Sequence, residues 1–280
     1  MQSAEVVHPR AQTSRSRHFY NLHSAICTLQ SVLLLSGCGL SPLTNKIEIG
    51  QEPFIVLVGE SPDGQTDLFA LRTAGGEAVR FTFTRMKEYA PAIHPTGAAL
   101  AYLRRPAQAI DSSPATLVVL NLINSSERLA ELPAGIGVPR RIGWSRDGTG
   151  LYVLGDLGIA AADAPPAAMA FAAVDTGSAG WIPADSATSI LVGEPPIARI
   201  ETCAKDCISS AALPWCVISP DGRRTELGRV VTPFRWGSDS LAFFQGEELL
   251  LYALAGGRPR RMEWNRAPKR PRDGSYWEPE

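Results

Sequence analysis

Histidine is nearly missing from this chain. Four occur in 280 residues, and His8, His18 and His23 all fall before residue 24, leaving His94 alone in the remainder. Beyond the leader, one copy of the chain therefore has no set of two or three imidazoles with which to hold a metal. A Ser-His-Asp triad would have to use His94, and no Gly-x-Ser-x-Gly turn presents a serine to it. Cysteine is scarce as well. The redox spacing Cys-x-x-Cys does not occur, since three residues separate Cys203 from Cys207. The acids lack the Asp-x-Asp-x-Asp spacing of a calcium loop. Net charge is almost nil, with 27 Lys+Arg against 28 Asp+Glu, which leaves no electrostatic footprint for nucleic acid. The expectation is a chain with no metal and no cofactor.

What is present begins with a basic leader. Arg10, Arg15 and Arg17, opposed only by Glu5, precede "AICTLQSVLLLSGCG", an apolar run too short to span a bilayer. It ends in Leu35-Ser36-Gly37-Cys38: an aliphatic residue, two small ones, then the cysteine. This order resembles the lipobox of bacterial lipoproteins. The resemblance implies cleavage before Cys38, a diacylglycerol on its thiol and acylation of the new N-terminus. Residues 1–37 would be the signal peptide and 38–46 a lipidated tether. Gly39 in place of an aspartate favours the outer membrane, with the protein facing the oxidising periplasm.

Beyond the tether the chain repeats itself. A small turn followed by a β-rich run recurs in "IHPTGAALAYLR" (93–104), "WSRDGTGLYVLG" (144–155), "ADSATSILVG" (184–193) and "WGSDSLAFFQG" (236–246), with a turnless version in "EPFIVLVGE" (52–60). A second hairpin alternates with it, in "LFALRTAGGEAVRFT", "LVVLNLINSSERLAEL", "MAFAAVDTGSAGWIP", "PWCVISPDGRRTELG" and "LLLYALAGGRPRRMEW". The turn centres of this second hairpin lie 50, 52, 44 and 35 residues apart. Two hairpins per unit and five units over residues 47–264 read as an all-β chain of four-stranded blades, a β-propeller. The polar, Pro-rich segment 265–280 reads as a flexible tail with Tyr276-Trp277 as a docking element.

"WSRDG…LYVLG" taken with "LFALRTAGGEAVRFT" resembles the TolB-type propeller repeat, with its Trp-Ser-Pro-Asp-Gly turn and Gly-Gly hairpin. The resemblance covers nearly all of the chain beyond the tether. It implies a propeller of five blades as counted, or six if one is too degraded to read, and a role as a binding platform or accessory domain. Only Trp144 and Trp236 keep the aromatic of the turn, and residues 156–214 are the least repeat-like.

Within this frame the polar residues of the turns are structural. Aligning Gly97 with Gly148 puts His94 where Ser145 stands, so neither is a nucleophile or base by position. Asp63, Asp147, Asp221 and Asp239 are read as turn carboxylates that accept backbone N–H groups, with Gly148 and Gly222 making the turns and Trp144 and Trp236 packing between blades. Cys203 and Cys207 are the favoured disulfide, and Cys207–Cys216 is the alternative. Loops 105–116 and 194–213 are the expected binding face, for an envelope protein or peptide. The rival function is a glycosidase-like propeller using two channel-facing carboxylates. Replacing Cys38→Ser is expected to move the protein from the membrane to the soluble fraction on cell fractionation; unchanged membrane retention contradicts the lipobox.

Overall fold

A computed structural model of the chain describes residues 41–110, 113–130, 132, 136–145, 147–157, 168–173, 179–182, 199–202, 213–219, 221–230, 233–265 and 268–279. All regular structure among them is β. The first hairpins give β1 (Phe54–Glu60), β2 (Thr66–Arg72) and β3 (Val79–Arg80). A second set follows in β4 (Met86–Ile93), β5 (Ala99–Pro106), β6 (Thr116–Asn121) and β7 (Glu127–Ala130). The third is β8 (Ile136–Trp144), β9 (Gly150–Leu157), β10 (Ala168–Ala173) and β11 (Ala179–Ile182). The fourth is β12 (Arg199–Thr202), β13 (Leu213–Ile218) and β14 (Arg224–Val230). The fifth is β15 (Phe234–Trp236), β16 (Ser240–Gln245), β17 (Glu248–Ala253) and β18 (Arg260–Arg261), and β19 (Lys269–Trp277) ends the series.

These strands form five antiparallel sheets among the described residues, four of them with four strands. Sheets two, three and five are sequential meanders. The fourth shows three strands among the described residues, and the turn copy at 184–193 lies outside them. The first sheet has the order β19-β1-β2-β3, so its inner strand comes from the other end of the chain. Phe54 faces Trp277 and Val58 faces Asp273 in this pairing.

The continuous apolar runs follow from the stacking of sheets. A strand turns successive side chains to opposite faces, and here both faces meet a neighbour. On β1, Phe54, Val56 and Val58 pack with Leu100, Tyr102 and Val118 of the second sheet. Ile55 and Leu57 pack with Phe234, Ala242 and Phe244 of the fifth. β16 repeats the device: Leu241 and Phe243 join Trp215 and Val217 of the fourth sheet, while Ala242 and Phe244 face the first. β5 sends Ala101 and Leu103 to the third sheet, against Ile142, Leu151 and Val153. Strands buried on both sides need no polar alternation, which is why these segments read as plain runs.

Three expectations are corrected. Residues 265–280 are not a free tail: 269–277 form β19, and Trp277 is buried in the core with its Nε1–H donating to the Pro95 carbonyl (2.7 Å). A polar, proline-bearing strand is tolerated there because β19 is an edge strand, where a missing N–H breaks no ladder on its outer side. Residues 41–46 are not a free spacer, since Ser41 is already buried and Leu43 is wholly so. The segment 194–213 is not all loop, because β12 lies within it and pairs with β13.

Trp277→Ala should cost about 3–5 kcal/mol of unfolding free energy in urea, the range for emptying a buried aromatic site. A loss below about 1 kcal/mol would show that β19 does not hold the first sheet.

Candidate functional site

The sheets present two different ends. At one end lie the turns between first and second strands and between third and fourth strands. These turns are locked to one another. Trp144 Nε1–H donates to the Ala92 carbonyl of the second sheet (3.0 Å). His94 stands edge-on to Trp144 with ring centroids 4.6 Å apart. Its Nδ1 meets Thr96 Oγ1 (2.8 Å) and its Nε2 meets the Gly148 carbonyl oxygen (3.3 Å). Gly148 has φ +71°, and a Cβ there would come within 2.3 Å of His94 Nε2. Gly97 has φ +70°, and a Cβ there would come within 2.5 Å of the Trp277 ring. Both glycines are thus fixed twice, by backbone conformation and by the ring against them.

The serine that most resembles a nucleophile is also a turn residue. Ser145 is buried; its hydroxyl donates to Asp147 Oδ1 (2.6 Å) and accepts from the Gly150 N–H (3.1 Å). Asp147 in turn accepts from the Thr149 N–H and hydroxyl. The Ser145 bond first, then those from Thr149, hold its carboxyl below the usual aspartate value. Asp221 accepts from the Arg223 N–H (3.0 Å), beside Gly222 at φ +83°. Arg223 reaches the fifth sheet, donating to the carbonyls of Leu254 and Ala255. Asp63 is bonded by the Ser61 hydroxyl, the chief reason its carboxyl lies low.

Trp236 stacks on Tyr276, the rings tilted by 33° at 4.9 Å. Beside them is a cavity of about 560 Å³ lined in part by Asp239, Arg258, Arg260 and Glu278. Asp239 accepts from the Ser240 hydroxyl (2.8 Å) and Glu278 from the Tyr276 hydroxyl (2.5 Å). Cys216, on β13, is buried and disulfide-bonded. Cys38, Cys203 and Cys207 lie outside the described residues.

The opposite end carries the connections between second and third strands and between sheets, and the expected binding loop 105–116 is here. Two large apolar side chains are bare on it: Phe83, 63% exposed, and Ile110, 71% exposed. Phe83 precedes β4 and Ile110 follows β5, whose paired ends are Met86 and Pro106. The Lys87 ammonium donates to the Ala109 carbonyl (3.1 Å) and holds the loop against β4. The Arg80 guanidinium lies 4.8 Å from the Phe83 ring centroid, and Arg105 lies 4.8 Å from that of Tyr89. β12 and β13 flank residues 203–212 at the corresponding end of the fourth sheet. Nothing in the repeats singles out Phe83 or Ile110, because both stand outside the strands. Phe81 shares the connection with Phe83 and Ala109 precedes Ile110, so no local pattern marks either residue.

A buried polar cluster underlies this patch. Asp67 and Glu88 have no exposed surface. Arg80 holds Asp67 at 2.8 Å, and the Thr84 hydroxyl donates to Glu88 Oε1 (2.9 Å). Next to them the Tyr102 hydroxyl donates to Glu127 (2.9 Å), which Arg104 also pairs at 3.0 Å. Burial pushes the Glu88 carboxyl up to about 7, against the hydrogen bonds from Thr82 and Thr84, with Asp67 adding to the rise and Arg104 opposing it. Burial likewise raises Asp67. Nearer the centre, Arg141 on β8 reaches Asp273 on β19 at 3.4 Å. Desolvation lifts that carboxyl against the pull of Arg141 and the Gly274 N–H. The wholly buried pair Asp67 and Glu88 cannot meet a glycan, and Asp273 is spoken for by Arg141.

No family profile matches the chain, and neither does any curated protein. Among solved structures, TolB from Acinetobacter baumannii is similar over 81% of this chain and 67% of its own, at 13% identity and a TM-score of 0.55. A chain of the nidogen/laminin complex is similar over 80% of this chain and 98% of its own, at 11% identity and a TM-score of 0.52. At such identities the likeness shows the fold alone: the chain is a β-propeller, a fold it shares with TolB.

Glu88 makes stability depend on pH. Its folded value near 7 lies above the unfolded 4.5, so its contribution is full below pH 4.5 and is lost as pH rises towards 7. Glu88→Gln should flatten that fall, removing a difference of up to about 3 kcal/mol between pH 4.5 and 8 in urea unfolding. Equal pH dependence in both proteins contradicts the assignment.

Proposed function

We propose that this chain is a lipid-anchored protein of the bacterial envelope, facing the periplasm, whose propeller is a non-catalytic platform for a protein or peptide partner. The observation that supports it is the pair of bare apolar side chains, Phe83 and Ile110, on one end of a ring whose other end is interlocked turn to turn. Strand burial on both faces makes the blades stiff. A stiff scaffold presents a surface with little ordering cost on binding. The partner brings apolar side chains onto Phe83 and Ile110 and carboxylates towards the exposed Arg85. The short connections between blades give the face its shape, and the connections between β5 and β6 and between β12 and β13 give it its specificity. Cys216 on β13 is disulfide-bonded, and we take Cys207 as the partner that would tie the second of these connections to that strand.

The test is crosslinking of the lipidated protein in intact cells, followed by mass spectrometry. The parent is expected to recover a defined envelope protein, and Phe83→Ser with Ile110→Ser is expected to lose it with unfolding free energy within about 0.5 kcal/mol of the parent. Turnover of a glycan by the purified propeller, with no partner recovered, overturns the platform reading in favour of an enzyme.

A further inference from the structure

The anchor and the fold are too close together for the propeller to hang free of the membrane. Cys38 stands three positions before Ser41 and five before Leu43. At no more than about 3.6 Å per residue, its Cα lies within about 11 Å of the first and about 18 Å of the second. Leu43 is wholly buried and Ile47 nearly so, in the cluster that holds Leu122 and Trp277. Gly50 places its would-be Cβ 3.5 Å from the Thr96 carbonyl oxygen. The chain therefore enters the fold on the interlocked end, among the turns at His94–Gly97 and Leu122–Ser125. An acyl chain on Cys38 brings that end to the bilayer surface.

The same end carries the groups a bilayer surface accepts. Ile123, in the turn between β6 and β7, is 60% exposed. Trp236 and Tyr276, amphipathic rings of the kind that settle at headgroup level, border the cavity that Arg258 and Arg260 line. Both arginines are exposed, and neither has an ion-pair partner among the described residues. The acids of the same cavity, Asp239 and Glu278, are engaged by the hydroxyls of Ser240 and Tyr276.

We infer that the turn end of the propeller lies flat on the membrane, with Ile123 at the boundary of headgroups and acyl chains and the Arg258–Arg260 cavity taking the phosphate of an anionic phospholipid. This rests on the lipoprotein reading. It adds a second contact to the anchor, as stable attachment of a lipidated protein favours. It also aims Phe83 and Ile110 away from the membrane, where a periplasmic partner reaches them.

The experiment uses the lipidated full chain in vesicles of phosphatidylethanolamine and phosphatidylglycerol, with a spin label on Ile123→Cys or, separately, on Ile110→Cys. The label at 123 is expected to be shielded from a water-soluble relaxing agent, and the label at 110 open to it. Equal exposure of both labels, or the reverse pattern, overturns the orientation. Arg258→Ala with Arg260→Ala should lower the docked-to-undocked ratio at position 123 about 25-fold, roughly fivefold for each charge near an anionic surface. Unchanged shielding overturns the phosphate assignment. If Cys38→Ser stays with the membrane as the parent does, the lipoprotein reading itself fails and takes the orientation with it. An anchored protein with an exposed label at 123 fails the orientation alone.

Discussion

The pairing of β1 with β19 is the constraint on which the rest of the structure depends. It joins residues 54–60 to residues 269–277 and gives the first sheet its inner strand. Without it, Phe54, Val56 and Val58 would still meet the second sheet, but the fifth would lose Gly274 and Tyr276 as neighbours. A Cβ at Gly274 would come within 2.6 Å of the Phe234 ring, which shows how closely β19 sits on the fifth sheet. The bridge between Glu77 and Asn265 ties the outer parts of the same two sheets. In the other direction the Ile93 N–H donates to the Ser275 hydroxyl (3.0 Å) and fastens β19 to the second. One strand from the end of the chain thus serves three sheets.

This closure makes the two ends of the propeller different in kind. On the turn end the contacts run from sheet to sheet through indole and imidazole: Trp277 to Pro95, His94 to Gly148, Trp144 to Ala92, Trp236 to Tyr276. Such an end is stiff. On the other end, buried carboxylates are balanced by arginines and threonines, and apolar groups stand exposed above them. Burying Asp67 and Glu88 costs desolvation, offset by Ser61 and Arg80 at the first and by Thr82, Thr84 and Arg104 at the second. The cluster therefore specifies how the connections between the first two sheets lie more than it stabilises them.

How much of this was legible in the sequence varies by element. The second hairpins were plain, because Gly75-Gly76, Asn124-Ser125, Asp221-Gly222 and Gly256-Gly257 mark the turns of strands that are otherwise apolar. Trp144 was picked out by its echo in Trp236, and Gly148 by its match to Gly97. The closing strand was not seen, yet its signal was there. "WEPE" at 277–280 repeats the spacing of "WSRD" at 144–147, and "EPFIVLVGE" lacked a first strand of its own. Composition hid it, because polar, proline-rich segments usually lie outside cores and an edge strand is the exception. Phe83, Ile110 and the Asp67–Glu88 cluster were illegible for another reason. Their meaning comes from which sheets are neighbours, and no local pattern carries that.

The measurement that tests closure most directly is amide hydrogen exchange across the whole chain, resolved to short peptides. The account predicts that amides of 273–277 are protected to the same degree as those of β1 and β2, and are lost together with them in one cooperative opening. Exchange of 273–277 at the rate of an unfolded chain, with β1 still protected, would contradict it.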